Sequence, residues 1–187
     1  MINYFQPVCI ELQETFLSSN IPLTLRGYNR FRKVAATAAN HFGGVCILTS
    51  NLYSAHLLTH FFAGCGCSGS CPNITVCSVY LPPHDVIGHH VLDNLIEQLP
   101  APFLLLGDFN GHSALWRSDV AYSRGRQIEN ISNHCLCLLN NNEKTYFHEP
   151  TRTFHSLHLA ICSPILMPFH CWISLLEVTF ITVTTFP

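Results

Sequence analysis

Polar residues that end apolar segments are the groups in this chain best suited to chemistry. Glu14 follows the apolar stretch "PVCIELQ", Tyr80 ends "ITVCSVY", and Asp108 and Asn110 follow "FLLLG". In layered α/β proteins, polar residues at strand ends converge on one crevice. Two carboxylates and a carboxamide oxygen are hard ligands that suit Mg²⁺ or Mn²⁺ beside a substrate phosphate. The pattern therefore predicts a phosphoester site.

Each of these residues also has a purely structural interpretation. Gly107-Asp108 and Asn110-Gly111 are pairs that make turns without any chemistry. Glu14 can be a surface acid that follows a strand. Taken one at a time, the residues leave both interpretations open, and only their combination favours a site.

The composition limits the classes of protein to consider. The chain has 187 residues, of which 48% are hydrophobic and 11% charged, so it is too apolar to be disordered and long enough for one domain with a core. Nine Lys and Arg against eleven Asp and Glu give a formal charge of −2. A nucleic-acid partner would therefore not be recognised mainly by electrostatic attraction.

Because the chain has ten cysteines, we ask whether it belongs to an oxidising or a reducing compartment. The start "MINYFQPVCIELQETFL" has no basic region and no charge-free apolar run before a cleavage site, so we expect an intracellular protein, nuclear or cytoplasmic and not secreted, with reduced thiols. Cys65, Cys67 and Cys71 have a C-x-C-x₃-C spacing that could hold zinc. Because no second tight cluster supplies a fourth ligand, we favour a loop or edge strand rich in cysteine.

Periodicity predicts one α/β domain with a mixed sheet. A helix is expected over 86–100, where apolar residues recur at helical spacing before Pro100, and a second over 124–140 that runs into a short strand. The glycine-rich segment 61–71 is expected to be an irregular or frayed sheet edge. Apolar strands are predicted over five segments, 7–15, 43–50, 74–83, 103–109 and 153–164.

The ordered set of motifs resembles the endonuclease/exonuclease/phosphatase superfamily. Within it, the chain is most similar to the endonuclease domain of the polymerase polyprotein of jockey-like non-LTR retrotransposons, over residues 5–164. The resemblance implies an incomplete four-layer α/β sandwich with mixed sheets. It rests on "LQET" (12–15), "VYLPP" (79–83), "LLLGDFNGHSALW" (104–116), "RGRQIE" (124–129), "LLNN" (138–141) and "TFHSLHLAICSP" (153–164).

The resemblance implies a role for each residue at the strand ends. Glu14 would be the metal-binding acid. Asp108 would share the metal site and orient or deprotonate the attacking water, while Asn110 would contact the scissile phosphate or its metal. Tyr80 would hydrogen-bond the phosphate. The implied reaction is hydrolysis of a DNA phosphodiester with Mg²⁺ or Mn²⁺, in which water attacks in line.

Four further residues match the family pattern or its surroundings. His112 is implied to contact substrate. Trp116 also matches, although we favour a packing role for it. Arg124 and Arg126 can contact a DNA strand, or they can simply form a solvated helix start. DNA is the partner that the resemblance implies, and no stable protein partner follows from it.

The chain also departs from the family pattern. His158 stands where the family has an acid, and the Ser-Asp-His element expected after a further strand does not follow Pro164. The asparagine-bearing strand that precedes "LQET" in the family is not seen either. We therefore divide the chain into a partial domain, 1–164, and an apolar tail, 165–187, and expect impaired catalysis.

The tail leaves an alternative open, since its apolar composition also suits a membrane anchor. Its stretch from Cys171 onward is at most 17 residues long, which is shorter than the roughly 20 that a spanning helix needs, so we consider a membrane unlikely as a partner.

Three function classes remain. The first is a retrotransposon endonuclease, by resemblance part of a reverse transcriptase polyprotein. The second is another phosphoesterase of the superfamily, and the third is a non-catalytic remnant.

Overall fold

The computed structural model describes residues 7–13, 15, 20–33, 44–59, 62–66, 74–83, 87–118, 121–131, 134–140, 146–148, 152–169 and 181–182. Within them the chain forms two main sheets, a short two-stranded ribbon and two α-helices.

The larger sheet is mixed and has six strands. They are β4 (Ser54–Thr59), β5 (Phe62–Gly66), β6 (Ile74–Tyr80), β7 (Phe103–Asp108), β8 (Cys137–Leu138) and β11 (His158–Cys162). Their order across the sheet is β4-β5-β6-β7-β11-β8, with β6 and β7 parallel and the other neighbours antiparallel. The two central strands, β6 and β7, are the apolar runs that the sequence predicts as buried.

The smaller sheet faces the larger one. Its strands are β1 (Cys9–Gln13), β2 (Tyr28–Lys33), β3 (Val45–Ser50) and β12 (Ile181–Thr182), in the order β12-β1-β3-β2. Only β12, which comes from the predicted tail, runs parallel to its neighbour β1. A separate ribbon pairs β9 (Tyr146–His148) with β10 (Thr153–His155).

Two apolar layers hold the sheets and the helices together. Between the sheets, Ile47 of β3 packs with Val76, Leu106 and Ala160 of the larger sheet. On the opposite face of the larger sheet, Leu105 and the neighbouring apolar residues pack against both helices, α1 (His89–Gln98) and α2 (Ser123–Ile131). The described layers are therefore helices, large sheet and small sheet, in an α/β sandwich with mixed sheets.

Most predicted elements are confirmed. The segments 7–15, 43–50, 74–83 and 103–109 contain β1, β3, β6 and β7, and the helix predicted over 86–100 is α1. The helix predicted over 124–140 is shorter, because α2 ends at Ile131 and β8 follows. No helix in the described part of the chain is long and apolar enough to cross a membrane.

Two sequence-based expectations are wrong. The segment 153–164 is not one strand, because residues 156 and 157 separate β10 from β11, which pair with different partners. The segment 61–71 is not a sheet edge: β5 lies between β4 and β6, with one irregularity in its pairing with β4. Gly64 is accommodated because it pairs with His56 of β4 on one side and with Thr75 of β6 on the other. Residues 67–71 lie outside the described residues.

Gly107 allows a close backbone approach between β6 and β7. It pairs with Val79 of β6, and a Cβ atom at position 107 would collide with the Val79 carbonyl oxygen. Any side chain here would have to push β6 and β7 apart. The glycine of "LLLGDF" therefore sets the spacing of the two strands that end in Tyr80 and Asp108.

We expect Gly107→Ala to lower the free energy of unfolding by about 3 kcal/mol or more, because backbone atoms cannot move aside as a side chain can. Gly88→Ala is the matched control, since a Cβ there meets only the Val91 side chain, at 3.7 Å. That control should lose less than about 1 kcal/mol. Urea denaturation measures both, and equal losses would contradict the assignment of Gly107 as a spacing residue.

Candidate functional site

Three neighbouring strands place a polar side chain at the same level of the large sheet. Asp108, the last residue of β7, is paired with Tyr80 of β6 on one side and with His158 of β11 on the other. Directly paired residues project to the same face of a sheet. Ser78, two residues before Tyr80, bonds to β1, so this face is the one that looks toward the small sheet. The structure thus brings together three predicted site residues.

The turn after β7 is fixed by its own side chains and backbone. Asp108 is buried, and its Oδ1 accepts the backbone N–H of Asn110 at 3.1 Å. Phe109 is fully buried, and its N–H continues the sheet ladder by donating to the Leu157 carbonyl. The predicted turn is therefore present, but it is built around the Asp108 carboxylate rather than exposed to solvent.

Asn110 has a conformation that few side chains accept. Its φ is +46°, in the left-handed region where asparagine is enriched among non-glycine residues. Its Nδ2 donates to the Leu81 carbonyl at 3.1 Å, while the Leu81 N–H donates to the Asp108 carbonyl. The carboxamide is therefore held against the loop that follows β6, beside Asp108.

Trp116 has the packing role favoured from the sequence. It is 4% exposed, belongs to the core between the large sheet and the helices, and its Nε1 donates to the Gly111 carbonyl at 2.9 Å. The indole thus fixes the backbone one residue after Asn110. The short 3₁₀ helix that carries Trp116, Ala114–Trp116, is capped by the hydroxyl of Ser113.

The two arginines of "RGRQIE" have different environments. Arg124 is half-buried, and its Nη1 donates to the Pro82 carbonyl at 2.6 Å and to the Leu81 carbonyl at 3.3 Å. It therefore braces the same carbonyl that holds the Asn110 amide and is not a simple solvated helix residue. Arg126 is exposed. Contact of either with DNA stays a prediction.

His112 lies in the segment that follows β7, where that segment contacts α2. Its backbone carbonyl accepts the N–H of Tyr122, and a Cβ on Gly125 would collide with that carbonyl. Its Nδ1 lies 3.0 Å from the Ser118 hydroxyl. Burial, and then the nearby His155, lower the pKa of His112 below its usual range.

A buried polar cluster beneath the site was not predicted from the sequence. Glu11 of β1 is 7% exposed, and its Oε1 accepts Ser78 Oγ at 2.5 Å and Gln13 Nε2 at 2.6 Å. Gln13 also donates to the Val79 carbonyl at 3.1 Å, which ties β1 to the end of β6. Burial raises the pKa of Glu11 to about 7, and the Asp108 carboxylate adds to the shift, opposed by the two hydrogen bonds.

Glu14, the predicted metal-binding acid, lies outside the described residues. Its neighbours on either side, Gln13 and Thr15, are buried, and Gln13 contacts the end of β6. The chain at this point therefore runs beside the strand ends that carry Tyr80 and Asp108. That Glu14 shares their cleft stays a prediction.

The donors at the strand ends suit a hydrated divalent cation. Asp108 offers a carboxylate and Asn110 a carboxamide, and Mg²⁺ needs only one or two carboxylates because it keeps several waters. Among the residues that the structure describes, no group of three or more His, Cys, Asp or Glu side chains could hold a metal ion. Two of the three cysteines of the C-x-C-x₃-C motif, Cys67 and Cys71, lie outside them.

A family model for endonuclease-reverse transcriptases matches residues 74–178, more than half of the chain. The chain belongs to this family. The matched segment contains Tyr80, Asp108, Asn110 and His158, whereas Glu14 precedes it. The match also covers residues 165–178 of the predicted tail, and the domain boundary at residue 164 stays a prediction.

Two solved structures share the fold. The endonuclease domain of TRAS1, a telomere-specific non-LTR retrotransposon, is 18% identical and aligns over 89% of this chain and 78% of its own, with a TM-score of 0.70. The 3′-5′ exonuclease NExo from Neisseria meningitidis is 15% identical and aligns over 87% and 78%, with a TM-score of 0.59. No curated protein sequence matches the chain. The predicted family resemblance and fold class are confirmed.

The pKa of Glu11 predicts how stability depends on pH. A carboxyl with a pKa of about 7 in the folded chain and 4.5 when unfolded holds its proton more tightly in the folded state. Its contribution to stability is therefore full at low pH and is lost as pH rises from about 4.5 to about 7. Glu11→Gln removes this loss, so the variant should gain up to about 3 kcal/mol relative to wild type between pH 4.5 and pH 8.

Urea denaturation across that pH range measures the difference for Glu11→Gln. Glu97→Gln, at an exposed position of α1, is the matched control. A difference between Glu11→Gln and wild type that does not change with pH would contradict the burial of an ionisable carboxyl at position 11.

His158→Asp should make the stability of the chain depend on divalent cations. The substitution places two carboxylates directly opposite each other on β7 and β11, and like charges in such a pair repel. We expect the variant to melt below wild type in EDTA, by an amount equivalent to about 1–3 kcal/mol. Because a cation bound to the folded state offsets the repulsion, Mg²⁺ or Mn²⁺ should raise its melting temperature more than that of wild type.

His158→Asn is the matched control for this experiment, because it also removes the imidazole but adds no charge. Its melting temperature should respond to the cations no more than that of wild type. An equal response from the two variants would show that residues 108 and 158 do not share a cation site.

Proposed function

We propose that this chain is a DNA-nicking endonuclease of the non-LTR retrotransposon type, which hydrolyses a phosphodiester with Mg²⁺ or Mn²⁺, and that its activity is impaired by His158. One observation carries the proposal: Tyr80, Asp108 and His158 lie side by side on three paired strands, with Asn110 in the adjoining turn. Family membership and a nuclease-type fold support the same reaction class.

Asp108 is the residue that acts on the attacking water. Its carboxylate is buried and held by the Asn110 N–H, so it is pre-oriented, and a carboxylate here can position a water or accept its proton. An alanine at position 108 could do neither. This is the role that a nuclease requires on one side of the scissile phosphate.

On this proposal Asn110 and Tyr80 contact the phosphate itself. The Asn110 carboxamide is held beside Asp108 by the Leu81 carbonyl, and that carbonyl is in turn braced by Arg124. Tyr80 is half-buried, and its phenol can donate a hydrogen bond to a phosphate oxygen. Asp108 and Glu14 would hold a divalent cation, which when bound stabilises charge on the phosphate and on the leaving 3′ oxygen.

His158 is the reason to expect weak activity. Burial lowers the pKa of His158 to about 4, so its imidazole is neutral at physiological pH. A neutral ring lacks the negative charge with which an acid at this position would hold and polarise a partner histidine. Loss of one oriented acid or donor slows hydrolytic enzymes by about 10²–10⁴-fold. DNA is the substrate on this proposal, and the site of action is inside the cell, in nucleus or cytoplasm.

A plasmid-nicking assay tests the proposal. We expect the 187-residue chain to convert supercoiled DNA to open circles slowly and only with Mg²⁺ or Mn²⁺. Asp108→Ala should abolish this activity, whereas Asp93→Ala, on the outer helix α1, should leave it unchanged. Nicking that survives Asp108→Ala would refute the assignment of the site.

Restoring the acid tests the explanation of the weak activity. His158→Asp alone should stay near the wild-type rate, because the acid would still lack the histidine that the family pattern provides. His158→Asp joined to a grafted family C-terminus with Ser-Asp-His should gain activity that Asp108→Ala removes. Vigorous nicking by the unmodified chain would show that His158 does not impair the site.

The alternatives give different results with other substrates. Turnover of soluble phosphoesters without nicking would identify another phosphoesterase of the superfamily. Cation binding without turnover of either substrate would identify a non-catalytic remnant.

A further inference from the structure

Three rings meet where the segment that follows β7 contacts α2. The His112 ring lies nearly perpendicular to the Tyr122 ring, with centroids 5.3 Å apart, and nearly perpendicular to the His155 ring, at 5.1 Å. His112 is two residues beyond Asn110, and His155 is three residues before His158. We call Tyr122, His112 and His155 the aromatic corner.

The aromatic corner is rigidly held on its inner side. The Tyr122 N–H donates to the His112 carbonyl, and the His112 imidazole is bonded to Ser118. Gly125 brings α2 so close that a side chain there would collide with the His112 carbonyl. These contacts fix the Tyr122 backbone and the His112 imidazole, against which the Tyr122 ring packs.

The outer side of the aromatic corner faces solvent. Tyr122 is 58% exposed, so much of its ring is open to solvent. Its carbonyl accepts the N–H of Arg126, so the exposed Arg126 lies one helical turn away on the same side of α2. The ring is therefore presented to solvent next to a positive charge.

The exposed charged residues that the structure describes close to Tyr122 in sequence are arginines. Residues 108–129 include three arginines, at positions 117, 124 and 126, and three acids, of which Asp108 is buried, Glu129 accepts a hydrogen bond from Ser113, and Asp119 lies outside the described residues. Arg117 and Arg126 are exposed, as is Arg152, three residues before His155. An exposed aromatic ring with arginines nearby suits a strand with a charged backbone and flat bases.

We infer that Tyr122, which packs against His112, stacks on a nucleobase of the DNA strand that enters the site. The inference rests on the proposed function and adds a base-contacting surface to it. The arginines attract the phosphates, and the ring supplies the contact with the base. Because every base has a flat face, such stacking tolerates many sequences and favours a base that is already unstacked.

Binding to single-stranded DNA in EDTA tests the inference without any turnover. Fluorescence anisotropy of a short labelled oligonucleotide should show that Tyr122→Ala and Tyr122→Leu weaken binding by about 5- to 100-fold. Tyr122→Phe keeps the flat ring and should bind as wild type does. Tyr53→Ala is the matched control, since Tyr53 follows β3 at the end of the sandwich opposite to Gln13. Equal binding by Tyr122→Ala and Tyr53→Ala would overturn the inference.

Salt dependence separates stacking from charge. Arg126→Ala should reduce the slope of log Kd against log salt concentration by about 0.7 if it contacts one phosphate. Tyr122→Ala should weaken binding without changing that slope. The fluorescence of an oligonucleotide that carries 2-aminopurine should be quenched by stacking on the ring. This quenching should be lost with Tyr122→Ala and kept with Tyr122→Phe. Unchanged quenching with Tyr122→Ala would overturn the inference.

Two further results keep this test separate from that of the proposed function. If DNA binding depends on Tyr122 but the protein does not nick plasmid, the result counts against the proposed catalysis alone. If Tyr122→Ala nicks plasmid and binds DNA as tightly as wild type, the result counts against the aromatic corner alone. Circular dichroism and thermal melting of Tyr122→Leu confirm that the loss of binding is not a loss of fold.

Discussion

The hydrogen-bonded register of β7 determines the geometry of the whole site. β7 is paired on both edges, so the position of Asp108 relative to Tyr80 and His158 is set by backbone bonds rather than by contacts among the three side chains. A slip of one residue would turn Asp108 toward the helices and Gly107 toward the small sheet. Gly107 contributes to this constraint, because only a glycine lets β6 approach so closely. The turn after β7, the loop after β6 and the start of α2 then follow from where β7 ends.

A second constraint acts between the sheets. Most of their contact is apolar, yet Glu11, Gln13 and Ser78 form a hydrogen-bonded cluster in the layer below the strand ends. Burying a carboxyl is unfavourable unless it is neutral or well bonded, and Glu11 is bonded twice. The cluster also bonds to the Val79 carbonyl through Gln13. β1 is thereby aligned with β6 by directional bonds, which apolar packing alone cannot provide.

The sequence was sufficient for the elements with a clear period or an apolar run. β1, β3, β6, β7 and α1 lie where expected, and the family pattern named the residues at the strand ends. The basic segment "YNRFRK" was missed as β2 because charged residues occupy both sets of alternating positions, so the sequence shows no apolar period. The position of β5 in the sheet was predicted wrongly because glycine content indicates only the local strand propensity. It does not indicate which strands pair with β5 on its two sides. Glu11 was missed because burial is a property of the packed sheets, and Tyr122 and His155 because their contact with His112 joins distant segments.

Two of the bonds that frame the strand ends are made by main-chain atoms alone. The Leu81 N–H donates to the Asp108 carbonyl, and the Phe109 N–H donates to the Leu157 carbonyl, and neither bond involves a side chain of a predicted site residue. Substitutions that leave the glycines and the apolar core intact therefore preserve these two bonds while the side chains at the strand ends change. The arrangement of the strands can stay the same in sequences that differ in the chemistry of the site. One later substitution at a strand end then acts on a backbone that is already in position.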